Sequence, residues 1–243
     1  MVRHNLITEI LRRFYDLEAS YEYIALSYAF LRSRPWPITA LLKGETVLDV
    51  GSGPCVNGLS LAAMDRGRYV VCTDTSFSML LTARARARSF KVVSDFVLAD
   101  VRNLPLRSNS FNTIITIAVL HHIPPDEVHK ALSELHRVLR ARGLLLVTTW
   151  SPWQRIHLRR ILLNALTLVF PPSVKMLREV LVPWRTKRLG RKLVLFRYYY
   201  LYSKEELERA IKDSGLIIIS TGYYSPFRRR SSNVYFIATK KGP

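Results

Sequence analysis

Three aspartates, Asp49, Asp74 and Asp100, stand 25 and 26 residues apart, and each ends or follows a short apolar run. The runs are Val47–Val50, Val70–Thr73 and Phe96–Ala99. Carboxylates at that spacing can accept from the hydroxyls and amines of one extended ligand laid across several strand ends. Asp49 is followed by Gly51-Ser-Gly53. Glycine there permits positive φ and lets the backbone come close to a ligand.

Two adenosine ligands use this arrangement. A dinucleotide asks for Gly-x-Gly-x-x-Gly, with its pyrophosphate on a helix N-terminus. The third glycine would fall on Val56, so that fingerprint fails. A phosphate-free ligand, S-adenosylmethionine, fits better. Asp49, Gly51 and Gly53 would surround its amino-acid end. Asp74 would accept from the ribose hydroxyls and Asp100 from the adenine amine.

The elements that must position these residues alternate. Strand signals at Thr46–Val50, Tyr69–Thr73, Phe96–Ala99, Phe111–Val119 and Leu144–Thr149 are separated by helix signals at Val56–Arg66, Ser76–Arg88 and Asp126–Arg140. Gly143 reads as the stop of the last helix. Such alternation means βαβ units, hence an α/β fold with a doubly wound, mostly parallel seven-stranded sheet. Ahead of it, residues 4–33 carry helical apolar spacing and end at Arg34-Pro35-Trp36-Pro37. After it, Ser151–Tyr202 is basic, aromatic and irregular, with one helix expected at Gln154–Val169. Ser203 with Glu206 forms a capping box for a further helix. Ile217–Ser220 and Asn233–Thr239 read as closing strands around Arg228-Arg229-Arg230. We therefore expect one domain over 1–243: a helical cap (1–43), a cofactor-binding core (44–150), a basic insert (151–202) and a closing helix with strands (203–243).

Composition limits the partners. The 243 residues are 49% hydrophobic, enough for one sizeable core. Net charge is +19, and residues 151–202 hold eleven basic residues against one acid, Glu179. An excess of this size suggests a polyanion as partner. No stretch reaches the ~18 apolar residues of a bilayer span, so no integral membrane protein is expected, and nothing reads as a secretory signal. Cys55 and Cys72 make neither a disulfide framework nor a metal site, which points to a reducing cytoplasm. His129 and His136 read as structural or solvated, and Arg84, Arg86 and Arg88 as a solvated helix face.

The stretch from Val47 to about Trp150 resembles the class I S-adenosylmethionine-dependent methyltransferases, whose fold is Rossmann-like. That resemblance adds Val101 and Ala118 to the cofactor-binding set. One departure stands out: Cys55 occupies a position that is usually glycine, where its side chain is expected to crowd the methionine end of the cofactor. Four further features narrow the resemblance. They are Arg32-Ser-Arg34-Pro35-Trp36-Pro37, the run ending in His121-His122, Trp150, and Val182-Pro183-Trp184 with Arg197-Tyr198-Tyr199-Tyr200-Leu201-Tyr202. Together they resemble the tRNA wobble-uridine methyltransferases that esterify 5-carboxymethyluridine. A carboxylate nucleophile is already ionised near neutral pH. It needs orientation rather than a base, and Arg32, His121 and Arg197 are of the right type. Trp150 and Tyr198 would stack on an extruded base, and the basic insert would hold the phosphates of the anticodon stem-loop. The resemblance also implies a small zinc-ribbon activator subunit along the sheet edge, where Phe96–Ala99 seeks cover.

Two other readings stay open at this point. One is a methyltransferase of a quinone, lipid or other small molecule at a membrane surface, with Gln154–Val169 as a basic amphipathic helix. The other is a catalytically silent RNA-binding module.

Overall fold

Val47, Leu48 and Val50 are all buried, although successive residues of a strand point to opposite faces. A strand buried on both sides belongs in the middle of a covered parallel sheet. The computed structural model shows this sheet; it describes residues 19–152, 178–188, 191–226 and 233–242. Helix α1 (Ala19–Leu31) and a 3-10 turn (Pro37–Leu41) precede β1 (Thr46–Val50). Then follow α2 (Val56–Met64), β2 (Tyr69–Asp74), α3 (Phe77–Phe90), β3 (Ser94–Leu98) and β4 (Phe111–Ile117). A short 3-10 turn (Leu120–His122) leads to α4 (Val128–Val138) and β5 (Leu139–Trp150). Beyond them lie β6 (Glu179–Arg188), β7 (Arg191–Tyr200), α5 (Lys204–Asp213), β8 (Leu216–Tyr224) and β9 (Asn233–Lys240).

The sheet order is β3-β2-β1-β4-β5-β9-β8, seven strands. Strands β1 to β5 pair in parallel, and β9 runs antiparallel between β5 and β8. This is the doubly wound, mostly parallel architecture the sequence implies. One face packs Leu48, Ile114, Leu145 and Phe236 against α4 and α5. The other packs Val47, Val70, Ile115 and Leu146 against α2, α3 and Trp36. Helix α4 buries Val128, Ala131, Leu132, Leu135 and Val138, the i, i+3, i+4, i+7 stripe of an amphipathic helix.

Several expectations are corrected. Helix α4 stops at Val138, not Arg140, and β5 begins at Leu139 rather than Leu144. The Gly143 stop signal is overridden by pairing: Phe111 opposes Leu139, and the ladder shifts before Thr113 opposes Leu144. Lys240 on β9 donates to the carbonyls of His136 and Leu139 and to Asn109 Oδ1, tying down the helix end. The insert is not irregular throughout. Strands β6 and β7 form an antiparallel hairpin in which Glu179 opposes Tyr200 and Pro183 opposes Phe196. Arg86 is not simply solvated, because it donates to the carbonyl of Pro54 at 3.0 Å. The helix expected at Gln154–Val169 and the Arg228-Arg229-Arg230 loop lie outside the described residues.

The cysteine reading is also corrected. Cys55 and Cys72 form a disulfide, with Cα atoms 6.1 Å apart. Both are fully buried under the sheet. The argument from two free thiols to a reducing compartment therefore falls. No helix among the described residues is long and apolar enough to cross a membrane.

Candidate functional site

The loop that leaves β1 turns through two glycines in the left-handed region, Gly51 at φ 58° and Gly53 at φ 52°. A Cβ at Gly51 would meet Val119 Cγ2 at 2.6 Å, so only glycine lets β1 and the β4 exit approach this closely. Gly53 N–H donates to Asp74 Oδ2 at 2.7 Å, and Ser76 N–H donates to Asp74 Oδ1 at 2.9 Å. Strand β2 thus ends in a carboxylate that grips both the glycine loop and the start of α3. Burial pushes Asp74 up to about 6 against those two donors.

Above these strand ends lies a cavity of about 390 Å³, the size of a small-molecule site. Gly51, Gly53, Asp74, Asp100, Val101 and Ala118 line it, as do Tyr21, Tyr28, His122 and Tyr198. Six of the seven expected cofactor residues therefore share one wall. The seventh, Asp49, lies beneath the loop, 1% exposed and absent from the lining. It accepts from Gly58 N–H at 2.9 Å, and burial raises it to about 7. Its position serves the loop: it holds the first turn of α2 in place. Asp100 reaches the wall already paired to Arg102.

Cys55 does not crowd the cavity. It adopts φ 49° and turns its sulfur inward to Cys72, 3.6 Å from Asp49 Oδ2. The glycine-like backbone is kept while the side chain is drawn into the core. A glycine loop at positive φ, the carboxylates of Asp74 and Asp100 on the wall and a nucleoside-sized space fit S-adenosylmethionine. Asp74 and Asp100 would meet its nucleoside, and the Gly51–Gly53 loop its amino-acid end.

The acceptor side differs more from the sequence reading. In the 3-10 turn, consecutive side chains point about 120° apart. His122 faces the cavity, while His121 is 1% exposed and sits behind it. The expectation that His121 meets the acceptor is corrected accordingly. His122 Nδ1 lies 3.1 Å from the carbonyl of Tyr198, so it carries the proton; Nε2, 3.0 Å from Tyr21 Oη, accepts. Burial pushes His122 down to about 3, so the imidazole stays neutral.

Tyr199, not Tyr198, is the aromatic hub. Its ring centroid lies 4.5 Å from His121, 4.7 Å from His122 and 5.0 Å from Trp150. Tyr198 lines the cavity, and its hydroxyl donates to Glu179 at 3.0 Å. Period-2 alternation along β7 sends neighbouring tyrosines to opposite faces. Arg197 is 6% exposed, its Cζ 4.8 Å from the Trp184 ring and 5.2 Å from the Tyr199 ring. Among the described residues its Nε has no acceptor and no ion pair involves it. The Arg197 charge acts on the Tyr21 hydroxyl, which lines the cavity, and opposes the upward push of burial there. Arg32 stands 5.8 Å over the Tyr28 ring, at the end of the same helix. Trp36 is a packing residue, 4% exposed, and its backbone N–H donates to Asn57 Oδ1.

Sequence reasoning missed the role of α1 as a wall. Glu22 accepts from Ser78 N–H at the start of α3, which seats Tyr21 and Tyr28 over the cavity. Their tyrosine spacing of seven was the available signal.

The family profile described as "Methyltransferase domain" matches residues 48–147. A mouse tRNA (carboxymethyluridine(34)-5-O)-methyltransferase, ALKBH8, is 34% identical over 54% of this chain. The chain spans only 19% to 32% of the length of the animal and plant relatives of that name. A tRNA (carboxymethyluridine(34)-5-O)-methyltransferase of Schizosaccharomyces pombe is 24% identical over 84% of this chain and 89% of that protein. Among solved structures, an S-adenosylmethionine-dependent methyltransferase of Methanosarcina mazei superposes with TM-score 0.68 at 20% identity. It covers 86% of this chain and all of that one.

Proposed function

We propose, for a chain that folds as a class I S-adenosylmethionine-dependent methyltransferase domain, that it transfers a methyl group to the carboxylate of 5-carboxymethyluridine at the wobble position of tRNA. The observation that carries this reading is Arg197. A buried guanidinium with no ionic partner among the described residues is costly. Set between Trp184 and Tyr199 beside the donor cavity, it suits an incoming carboxylate. The names of the mouse and fission-yeast relatives support the same acceptor.

The donor supplies an electrophilic methyl on a sulfonium. Everything else is positioning by the chain. Arg197 and Arg32 orient the acceptor anion, and Trp150 with Tyr198 offers rings for the extruded base. Tyr21, held by neutral His122, closes the cavity to water. No base is required, which agrees with a histidine whose two nitrogens are both engaged. The basic residues of the insert hold the anticodon stem, in the cytoplasm. A zinc-ribbon subunit pairs along β3, the edge strand, where Leu98 is 58% exposed.

The test uses labelled methyl donor with bulk tRNA or a lipid extract, with and without the candidate subunit. Base-labile label on tRNA is expected. Label confined to lipid would overturn the acceptor and favour a small-molecule methyltransferase. Donor binding without transfer to either would favour a silent RNA-binding module.

A further inference from the structure

Beyond β3 the chain turns sharply, with Asn103 N–H donating to the Asp100 carbonyl at 3.0 Å. Arg102 folds back inside this turn. Its backbone N–H donates to Asp100 Oδ1 at 2.7 Å, and its Nε lies 2.9 Å from Oδ1 and 3.0 Å from Oδ2. Nη2 bonds the same carboxylate, and Nη1 bonds Glu127, the residue that opens α4. Asp100 and Arg102 both line the donor cavity.

Burial by itself would raise Asp100. The contacts from Arg102 outweigh it and hold the carboxyl below its ordinary range. An ionised carboxylate only accepts, and offers about four lone-pair positions. Arg102 takes about three of them and fixes the plane of the group, which leaves about one for a ligand. Because Nε, Nη1 and Nη2 are directed at Asp100 and Glu127, they do not turn to satisfy a ligand carbonyl. Glu127 anchors the fork to α4, so the guanidinium cannot swing across the cavity.

We infer that Arg102 is a positioning residue that makes Asp100 a reader of the donor's purine, accepting a base edge that carries an amine and refusing one that carries a carbonyl. The inference rests on the donor reading above. Lone pair would face lone pair if hypoxanthine replaced adenine.

The experiment is calorimetric titration of the full chain with S-adenosylhomocysteine and with S-inosylhomocysteine. The unsubstituted chain is expected to prefer the adenosyl compound by about 10- to 100-fold, the worth of one charge-assisted hydrogen bond. In Arg102→Met that preference should shrink to within about threefold, because Asp100 is then free to rotate away from the base edge and its plane is no longer fixed. Glu127→Gln should narrow it partly while leaving the Asp100 pair in place. Arg102→Lys keeps a cation without the planar fork and decides the matter if the Met variant melts early. Equal weakening for both compounds, with the preference unchanged, would make Arg102 a purely structural residue and overturn the inference. Binding of neither compound by the unsubstituted chain would instead overturn the donor reading, and the inference with it.

Discussion

Arg197 and Asp49 show how much one buried charge can decide. Replacing Arg197 with Met removes the cation without opening the Trp184–Tyr199 stack. Loss of a charge-assisted contact to the acceptor is worth about 1.5–3 kcal/mol, so kcat/KM for tRNA should fall roughly 10- to 150-fold. Donor affinity should stay within about twofold, since Arg197 is outside the donor wall. Steady-state kinetics with donor calorimetry checks both. Asp49 makes a pH prediction. Burial raises its folded value to about 7, well above the unfolded value of about 3.9. Between those values the folded state binds the extra proton, so stability falls as pH rises from 4 to 7 and is level above. Asp49→Asn keeps an acceptor for Gly58 N–H and removes the ionisation, so its melting temperature should vary less across that window. A steeper dependence in the variant would refute the assignment. That Asp74 and Asp100 line the cavity was readable because each follows an apolar run: Asp74 ends β2, and Asp100 lies just past β3. That His122 rather than His121 faces the cavity was not, because a 3-10 turn gives no sequence periodicity to read.

At the scale of elements, the disulfide joins the glycine loop to β2, across 17 residues. A loop of that length is worth about 3 kcal/mol, or roughly 6–12 °C in Tm for a domain of this size. Adding a dithiol reductant should lower Tm by that amount in a thermal scan. Cys55→Gly loses the staple but suits the φ of 49° found there, so it should fall less than Cys72→Ala. The parallel strands were legible as apolar runs between helix signals, since burial on both faces leaves little else. The β6–β7 hairpin was not. Pro183 reads as a breaker, yet it is tolerated in an isolated two-stranded ribbon where both strands are edges. Neither was the boundary between α4 and β5, where pairing to β4 overrode the local helix-stop signal.

For the whole molecule, charge and shape work together. With net charge +19 and pI near 10.4, binding to RNA should be strongly salt-dependent. For four or five phosphate contacts, going from 50 to 200 mM salt should weaken anticodon stem-loop binding on the order of 10²-fold. Donor binding, which neutralises no phosphates, should hardly change. A flat salt response, measured by fluorescence anisotropy, would remove the electrostatic case for tRNA. The fold class was legible from alternation alone. The seating of α1 over the donor cavity was not, because Tyr21 meets His122 across 101 residues of chain. Contacts of that range leave no local trace.

The bond between Cys55 and Cys72 also uses up every sulfhydryl the chain has. The folded, oxidised protein should therefore take up no maleimide. A single cysteine introduced on the exposed edge of β3, at Leu98, would then be a unique attachment point. A dye placed there would report directly on whether another protein covers that edge.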